Sequence, residues 1–281
     1  MTATELWMCP TCKAPVPTPF CPTCGEHPMQ ARDLTLRGLT EQIFEAFTNI
    51  DGRLIRSLRA LVFRPGALTV AFLNGRRKPY IGPVTLFLIA NVVFFAMESL
   101  TGGTIFTAPL HSHLHNQPWS DFAQQLVTQR LQAKQTTLAL YAPAFDKAIG
   151  LNARSLIIFM ALSFALAPLL VFFRSRLPLM AHAVFALHFY TVVLLLLSVA
   201  TAITAVGLWL GSAAQVSEGA DYVLSLTLLI ACAVYLYFAI RTVHGARGGS
   251  RILKTFALTV AVTIILLGDR FVLLLITLYS T

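Results

Sequence analysis

Five apolar stretches, near 81 to 100, 155 to 173, 183 to 209, 222 to 240 and 252 to 278, are each long enough to cross a bilayer. Roughly 30 Å of hydrocarbon needs about 20 helical residues. Hydrocarbon offers backbone N–H and C=O groups no partner, so a crossing segment must close its own hydrogen bonds, and these stretches read as helices. Composition agrees: the 281 residues are 56% hydrophobic and only 12% charged, against about 25% charged in a soluble domain. The sequence therefore predicts an all-α integral membrane protein with about five transmembrane helices and excludes a soluble one.

Charge placement predicts the orientation. With the first 80 residues inside, the inner segments hold 16 Lys and Arg: ten before Tyr80, then Arg174, Arg176, Arg241, Arg247, Arg251 and Lys254. The outer segment 101 to 154 holds four, and the outer loop at 210 to 221 has Glu218 and Asp221 but no cation. Cytoplasmic loops carry the excess of Lys and Arg, so the N-terminus is expected inside and the C-terminus outside a bacterial inner membrane. The net charge of +9 then reflects topology and contact with anionic lipid. The chain starts with Glu5 and a cysteine knuckle where a signal peptide needs a basic start and an apolar run, so no cleaved leader is expected.

Residues 1 to 30 carry the strongest chemical pattern. Cys9 with Cys12 and Cys21 with Cys24 each sit in a Cys-Pro-x-Cys turn, and two such turns in close succession have the spacing of a metal site. Pro10, Pro15, Pro17, Pro19, Pro22 and Pro28 forbid a long helix. A module this small cannot bury a sufficient core, so four thiolates on Zn2+ are expected to fold it as a zinc ribbon, in the reducing cytosol that keeps them ionisable. A fourfold thiolate site is closed and structural. His27 is a spare candidate ligand. Lys13 is the only Lys or Arg in residues 1 to 30, which argues against nucleic acid as the partner and favours protein contact.

Residues 31 to 79 read as cytoplasmic interfacial helices. Leu36, Leu39, Ile43, Phe44 and Phe47 recur at helical spacing, Asn49 to Gly52 makes a turn, and a second helix follows from Arg53 to Phe63. Leu54, Leu58, Leu61 and Val62 share a face opposite Arg53, Arg56 and Arg59. Such a helix either lies flat on an anionic surface or packs on its neighbours with solvated arginines. Arg76, Arg77, Lys78 and Tyr80 then lead into the first span and make a candidate lipid headgroup site, though an inside anchor needs the same residues.

Residues 80 to 281 form the membrane domain, with an extracytoplasmic segment at 101 to 153. There Phe122, Leu126 and Leu131 beyond the capping candidate Ser120 suggest an amphipathic helix. His111, His113 and His115 alternate, so an extended chain would aim all three imidazoles one way, at a metal ion or as a pH sensor. Polar residues inside the bilayer are costly and informative: Asn91 and Glu98 share a face of the first span, Asp269 and Arg270 lie near the outer end of the fifth, and His182 and His188 occupy the inner half of the third. A Glu98 to Arg270 ion pair is one expectation. Cys232 reads as a packing residue, and Gly-Ala-Arg-Gly-Gly-Ser from Gly245 as a flexible inner loop. No His-Glu-x-x-His helix, Gly-x-Ser-x-Gly elbow or Gly-Lys-Ser/Thr phosphate loop is present, so no enzyme is expected. No internal repeat marks inverted transporter halves.

Arg64 to Leu88, reading Arg-Pro-Gly-Ala-Leu-Thr-Val-Ala-Phe-Leu-Asn-Gly-Arg-Arg-Lys-Pro-Tyr-Ile-Gly-Pro-Val-Thr-Leu-Phe-Leu, resembles a bacterial membrane family known as domain of unknown function 3667. The Cys-Pro-x-Cys-Gly knuckle and Met180 to His188 are also similar to that family, which carries an N-terminal zinc ribbon. An acidic residue often precedes the first of those histidines in similar sequences, and here Ala181 stands in its place. The resemblance implies architecture without a reaction. Two functions are expected from these readings: a scaffold whose knuckle binds a cytoplasmic protein at the lipid interface, or a transporter, channel or lipid-handling protein using Asn91, Glu98, His182 and His188.

Overall fold

The structure, a computed structural model, describes residues 6–28, 52–101, 108–175, 177–209 and 218–281, without the side chains of 154–158, 208 and 218–222. The expected helix through Leu36 to Phe47, the turn from Asn49, Arg176 and most of the 210 to 221 loop lie outside the described residues. The described elements are β1 (Trp7–Met8), β2 (Pro15–Val16), α1 (Arg53–Phe63), α2 (Ala67–Leu73), α3 (Pro83–Thr101), α4 (Leu110–His115), α5 (Ser120–Lys134), α6 (Leu138–Val171), α7 (Leu179–Trp209), α8 (Glu218–His244) and α9 (Gly248–Ser280). The two strands pair antiparallel, with Trp7 opposite Val16.

Four helices have the length and apolar composition of membrane spans: Pro83–Thr101, Leu179–Gly207, Val223–His244 and Gly248–Ser280. The chain is thus a multi-pass membrane protein. Helix α7 is the axis of the bundle, packed against α3, α6 and α8, with Phe185, Phe189, Tyr190 and Leu194 buried. By contrast only 28% of the apolar window of α8 and 17% of that of α9 is buried. Ile230, Val234 and Phe238 on α8 and Phe256, Ile264 and Leu267 on α9 stay exposed, a surface suited to lipid rather than water.

The fifth expected stretch lies in the second half of α6, where Phe159–Val171 is a shorter apolar segment. The helix itself starts at Leu138, not near 155. Residues 138 to 152 are polar enough to look like loop, but they pack on the end of α9. Tyr141 Oη lies 2.6 Å from Thr281 Oγ1, and Asn152 Nδ2 donates to Thr277 Oγ1 at 3.0 Å. Polarity here marks contact with α9, not the end of the helix. Just past its other end, Phe172 stacks on His244 at 3.9 Å, so α6 runs from the C-terminal end of α9 to that of α8.

Helix α1 packs rather than floats. Ser57 is fully buried and accepts the Ile81 N–H at 2.9 Å, while Arg53 Nη2 donates to Tyr80 O at 2.8 Å and Arg56 Nε to Pro79 O at 3.3 Å. These arginines hold the loop before α3, and Val62 is 48% exposed rather than on the packed face. After Arg64 and Pro65, Gly66 adopts φ +82 and lies against α8 so closely that a Cβ would sit 2.8 Å from Ala239 O. This contact seats α2, whose Leu68 and Thr69 are buried. Of the flexible loop expected from 245 to 250, only 245 to 247 connect the helices, in a tight turn: α8 ends at His244 and α9 begins at Gly248. Arg251 closes it, donating from Nε to Tyr237 O at 2.7 Å with its guanidinium 3.5 Å from the Tyr237 ring centre.

Candidate metal centre and the basic cavity beside it

The two knuckles are built alike. In the first, Lys13 N–H donates to Cys9 O and Cys9 N–H to Ala14 O; in the second, Gly25 N–H donates to Cys21 O and Cys21 N–H to Glu26 O. Each turn ends in a left-handed residue, Lys13 (φ 58) and Gly25 (φ 71). The glycine adopts that conformation freely, whereas the lysine carries the steric penalty of its Cβ. The result brings Cys9, Cys12, Cys21 and Cys24 together with all ligand atoms within 4.8 Å of one another. Sulfur separations of 3.3 Å (Cys12 to Cys21), 3.4 Å (Cys9 to Cys24) and 3.9 Å (Cys12 to Cys24) bracket the ~3.8 Å edge of a tetrahedron with ~2.3 Å metal–sulfur bonds.

The thiols' own electrostatics fit a cation. Burial pushes Cys24 up to about 12, and Cys21, despite burial, is drawn down to about 6 by the N–H groups of Cys24 and Thr23 and by neighbouring thiols. A thiolate is favoured at Cys21, and Cys12 and Cys24 are discouraged from ionising beside it. The cluster can therefore hold a metal ion, which would be enclosed by four sulfurs. Among the described residues no other group of three or more His, Cys, Asp or Glu converges in this way. His27 is not one of the four ligands; its Nδ1 sits 2.8 Å from Pro28 O.

The sequence did not mark Glu26, yet it fixes the module to the bundle. It is 2% exposed, and its Oε2 accepts from Thr11 Oγ1 at 2.8 Å and from the backbone N–H groups of Arg77 and Lys78, each at 3.1 Å. A carboxylate next to Cys24 that bonds main-chain donors 51 and 52 residues away has no sequence signature beyond its position. The cysteine module thus contacts the Arg76 to Tyr80 segment, in which Arg76 and Lys78 are exposed and Arg77 and Tyr80 half-buried.

Between the two lies a cavity of about 150 Å³ whose wall includes Glu26, Arg53, Arg76, Arg77, Lys78, Tyr80 and His188. His188 is 2% exposed, and its Nδ1 lies 2.8 Å from Thr69 Oγ1. Its Nε2 is buried with no hydrogen-bond partner among the described residues. His182, also buried, turns elsewhere, its ring 5.4 Å from that of His244. The two histidines have different neighbours, Thr69 for His188 and His244 for His182; further polar candidates of the spans are Asn91 and Glu98. Both of those lie in α3, Glu98 buried and Asn91 half-buried. Asp269 and Arg270 sit half-buried in α9.

The three alternating histidines do not converge, because they form helix α4 instead of an extended strand. His113 is fully buried, while His111 and His115 are exposed with rings 4.6 Å apart. Trp119 Nε1 donates to His113 Nδ1 at 3.4 Å. Ser120 does not cap α5: its hydroxyl donates to Gln117 O at 2.8 Å. The buried positions of that helix are Ala123 and Val127, with Phe122 49% exposed against Phe271. Burial, and then the Arg270 charge, push His113 down to about 4 from 6.5. Between about pH 6.5 and about 4 the unfolded segment around His113 takes up a proton that the folded segment resists, so its stability falls as pH falls through that window and levels below it. Limited proteolysis of this region across pH 4 to 7 is expected to show that slope in the wild type and a flatter one in His113→Gln.

Residues 51–95 match the sequence model of a family described as protein of unknown function (DUF3667). No curated protein and no solved structure matches the chain. The matched segment covers α1, α2 and most of α3, including the stretch from Arg64 to Leu88 that carries the resemblance. All cavity-lining residues except Glu26, His27 and His188 lie within it.

Proposed function

We propose that the chain is a five-span protein of the bacterial inner membrane, whose zinc-folded head is held against the cytoplasmic end of the bundle and serves as a binding scaffold. The observation that carries this reading is the Glu26 contact with the Arg77 and Lys78 amides: a head fastened to the loop before the first span presents one fixed surface at the bilayer. The fifth crossing is the apolar half of α6, supported by contacts at both ends of that helix. Inside placement of the head rests on the bias of Lys and Arg toward that end.

Zinc in this site is structural, since four thiolates leave no position for water or substrate. Leu6, Met8 and Phe20 remain exposed on the head and suit contact with a cytoplasmic protein better than with nucleic acid. The transporter reading needs a polar route through the bundle, and the different neighbours of His182 and His188 weigh against it.

Two variants separate folding of the head from its docking. Cys21→Ser is expected to leave the protein inserted but strip it of its cytoplasmic protein partners. Glu26→Gln is expected to keep the metal and lose docking, a change of about 1.5–3 kcal/mol for hydrogen bonds to a charged group. Quantitative crosslinking in intact cells reads the first, and hydrogen exchange at Arg77 and Lys78 reads the second. An unchanged crosslinking profile in Cys21→Ser would defeat the scaffold reading.

A further inference from the structure

We propose that the cavity between the head and the bundle binds a phosphate-class anion, either a phospholipid headgroup or a soluble phosphate ester. The inference deepens the scaffold reading and rests on the head being docked, because the head supplies one wall.

Four cations, Arg53, Arg76, Arg77 and Lys78, face the space against one carboxylate, Glu26. That carboxylate is committed through Oε2 to a hydroxyl and two amides, so the surplus charge is positive. Two buried nitrogens there have no hydrogen-bond partner among the described residues: His188 Nε2 and Arg53 Nε. Burying such a group unpaired is costly, and a ligand that pairs with both removes that cost.

His188 is held for that task. Thr69 engages Nδ1, leaving Nε2 as the unpartnered ring nitrogen of a residue that lines the cavity. Arg53 is fixed in turn through Nη2 to Tyr80 O. Guanidinium groups pair bidentately with phosphate and carboxylate alike, and a tetrahedral phosphate adds acceptor oxygens outside one plane, which suits cations converging from several directions. The volume is below the roughly 300 Å³ at which drug-sized pockets begin, a size that suits a small anionic group. Leu68, Phe72 and Ile81 give part of the wall an apolar character, compatible with the glycerol end of a lipid or the carbon chain of an ester.

The test uses the full chain, metal-loaded, in neutral detergent and phosphate-free buffer, titrated calorimetrically with inorganic phosphate. Saturable binding at one site per chain is expected, weakened about tenfold or more in His188→Phe and in Arg53→Gln, the loss of one charged hydrogen bond. Because Arg53 also holds the loop at Tyr80, exposed Arg76→Glu supplies an independent variant with the same expected loss. Repeating the titration in nanodiscs identifies the source: competition by phosphatidylglycerol and not by phosphatidylcholine assigns a headgroup, and equal affinity in both assigns a soluble ester. Absence of saturable binding, or affinity unchanged across all three variants, overturns the proposal. Hydrogen exchange on the same samples keeps the two claims apart: protected Arg77 and Lys78 amides without phosphate binding sink the anion site alone, and unprotected amides in the wild type sink the docked head.

Discussion

Removing the metal, by chelation or by Cys21→Ser, is expected to unfold residues 6 to 28 while the bundle stays folded. Structural zinc in small cysteine modules carries about 10–16 kcal/mol of apparent binding free energy, all of it available to folding. Little else holds this head. Its buried apolar set is Cys9, Val16 and Cys21, with Trp7 and Cys24 partly buried beside it, and its sheet is two residues wide on each strand. The bundle has its own core around Phe87, Phe94, Phe164, Phe185 and Phe189, so the losses should be local. Hydrogen exchange with peptide resolution checks this, with protection lost in the head and kept in α3 and α7. Loss of protection throughout would make the metal a global rather than a local determinant.

Gly66→Ala is expected to destabilise the bundle by about 2–5 kcal/mol. Two costs add. A left-handed backbone at φ +82 is worth about 1–2 kcal/mol against an L side chain. The new Cβ would also stand 2.8 Å from Ala239 O and 2.9 Å from Thr242 Cβ, and overpacking of this kind typically costs 1–3 kcal/mol. Since the obstructing atoms include backbone of α8, the relief available is movement of α2 itself, which would draw Thr69 away from His188. Thermal unfolding in detergent gives the comparison. Gly249→Ala, with nothing within 4 Å of the added carbon, should be close to neutral, and a Gly66→Ala protein as stable as that control would contradict the seating of α2.

The same two positions show how far sequence reasoning reached. The demand for glycine at Gly66 comes from α8, 173 residues later in the chain at Ala239, and a single sequence does not display such a contact. Hydrophobic length found the four long spans, because crossing lipid imposes a composition, and the fifth expected stretch is present only as the shorter apolar segment Phe159–Val171 of α6. Where no lipid imposes it, the signal weakened: residues 138 to 152 are helical by packing on α9, and the 245 to 247 segment is a turn held by Arg251 instead of a linker. The metal cluster was legible because metal ligation fixes spacing along the chain. Glu26, which joins that cluster to the membrane domain, was not, since its partners are backbone amides that any residues would supply. The alternating histidines misled because period two has meaning only in extended chain, and the segment is helical.

The most direct measurement is hydrogen exchange at the Arg77 and Lys78 amides, with metal bound and after chelation. A metal-folded head that grips the bundle through Glu26 predicts two slow amides with metal and two fast ones without it, while α3 remains protected in both states. Exchange at those amides that is indifferent to the metal would contradict it.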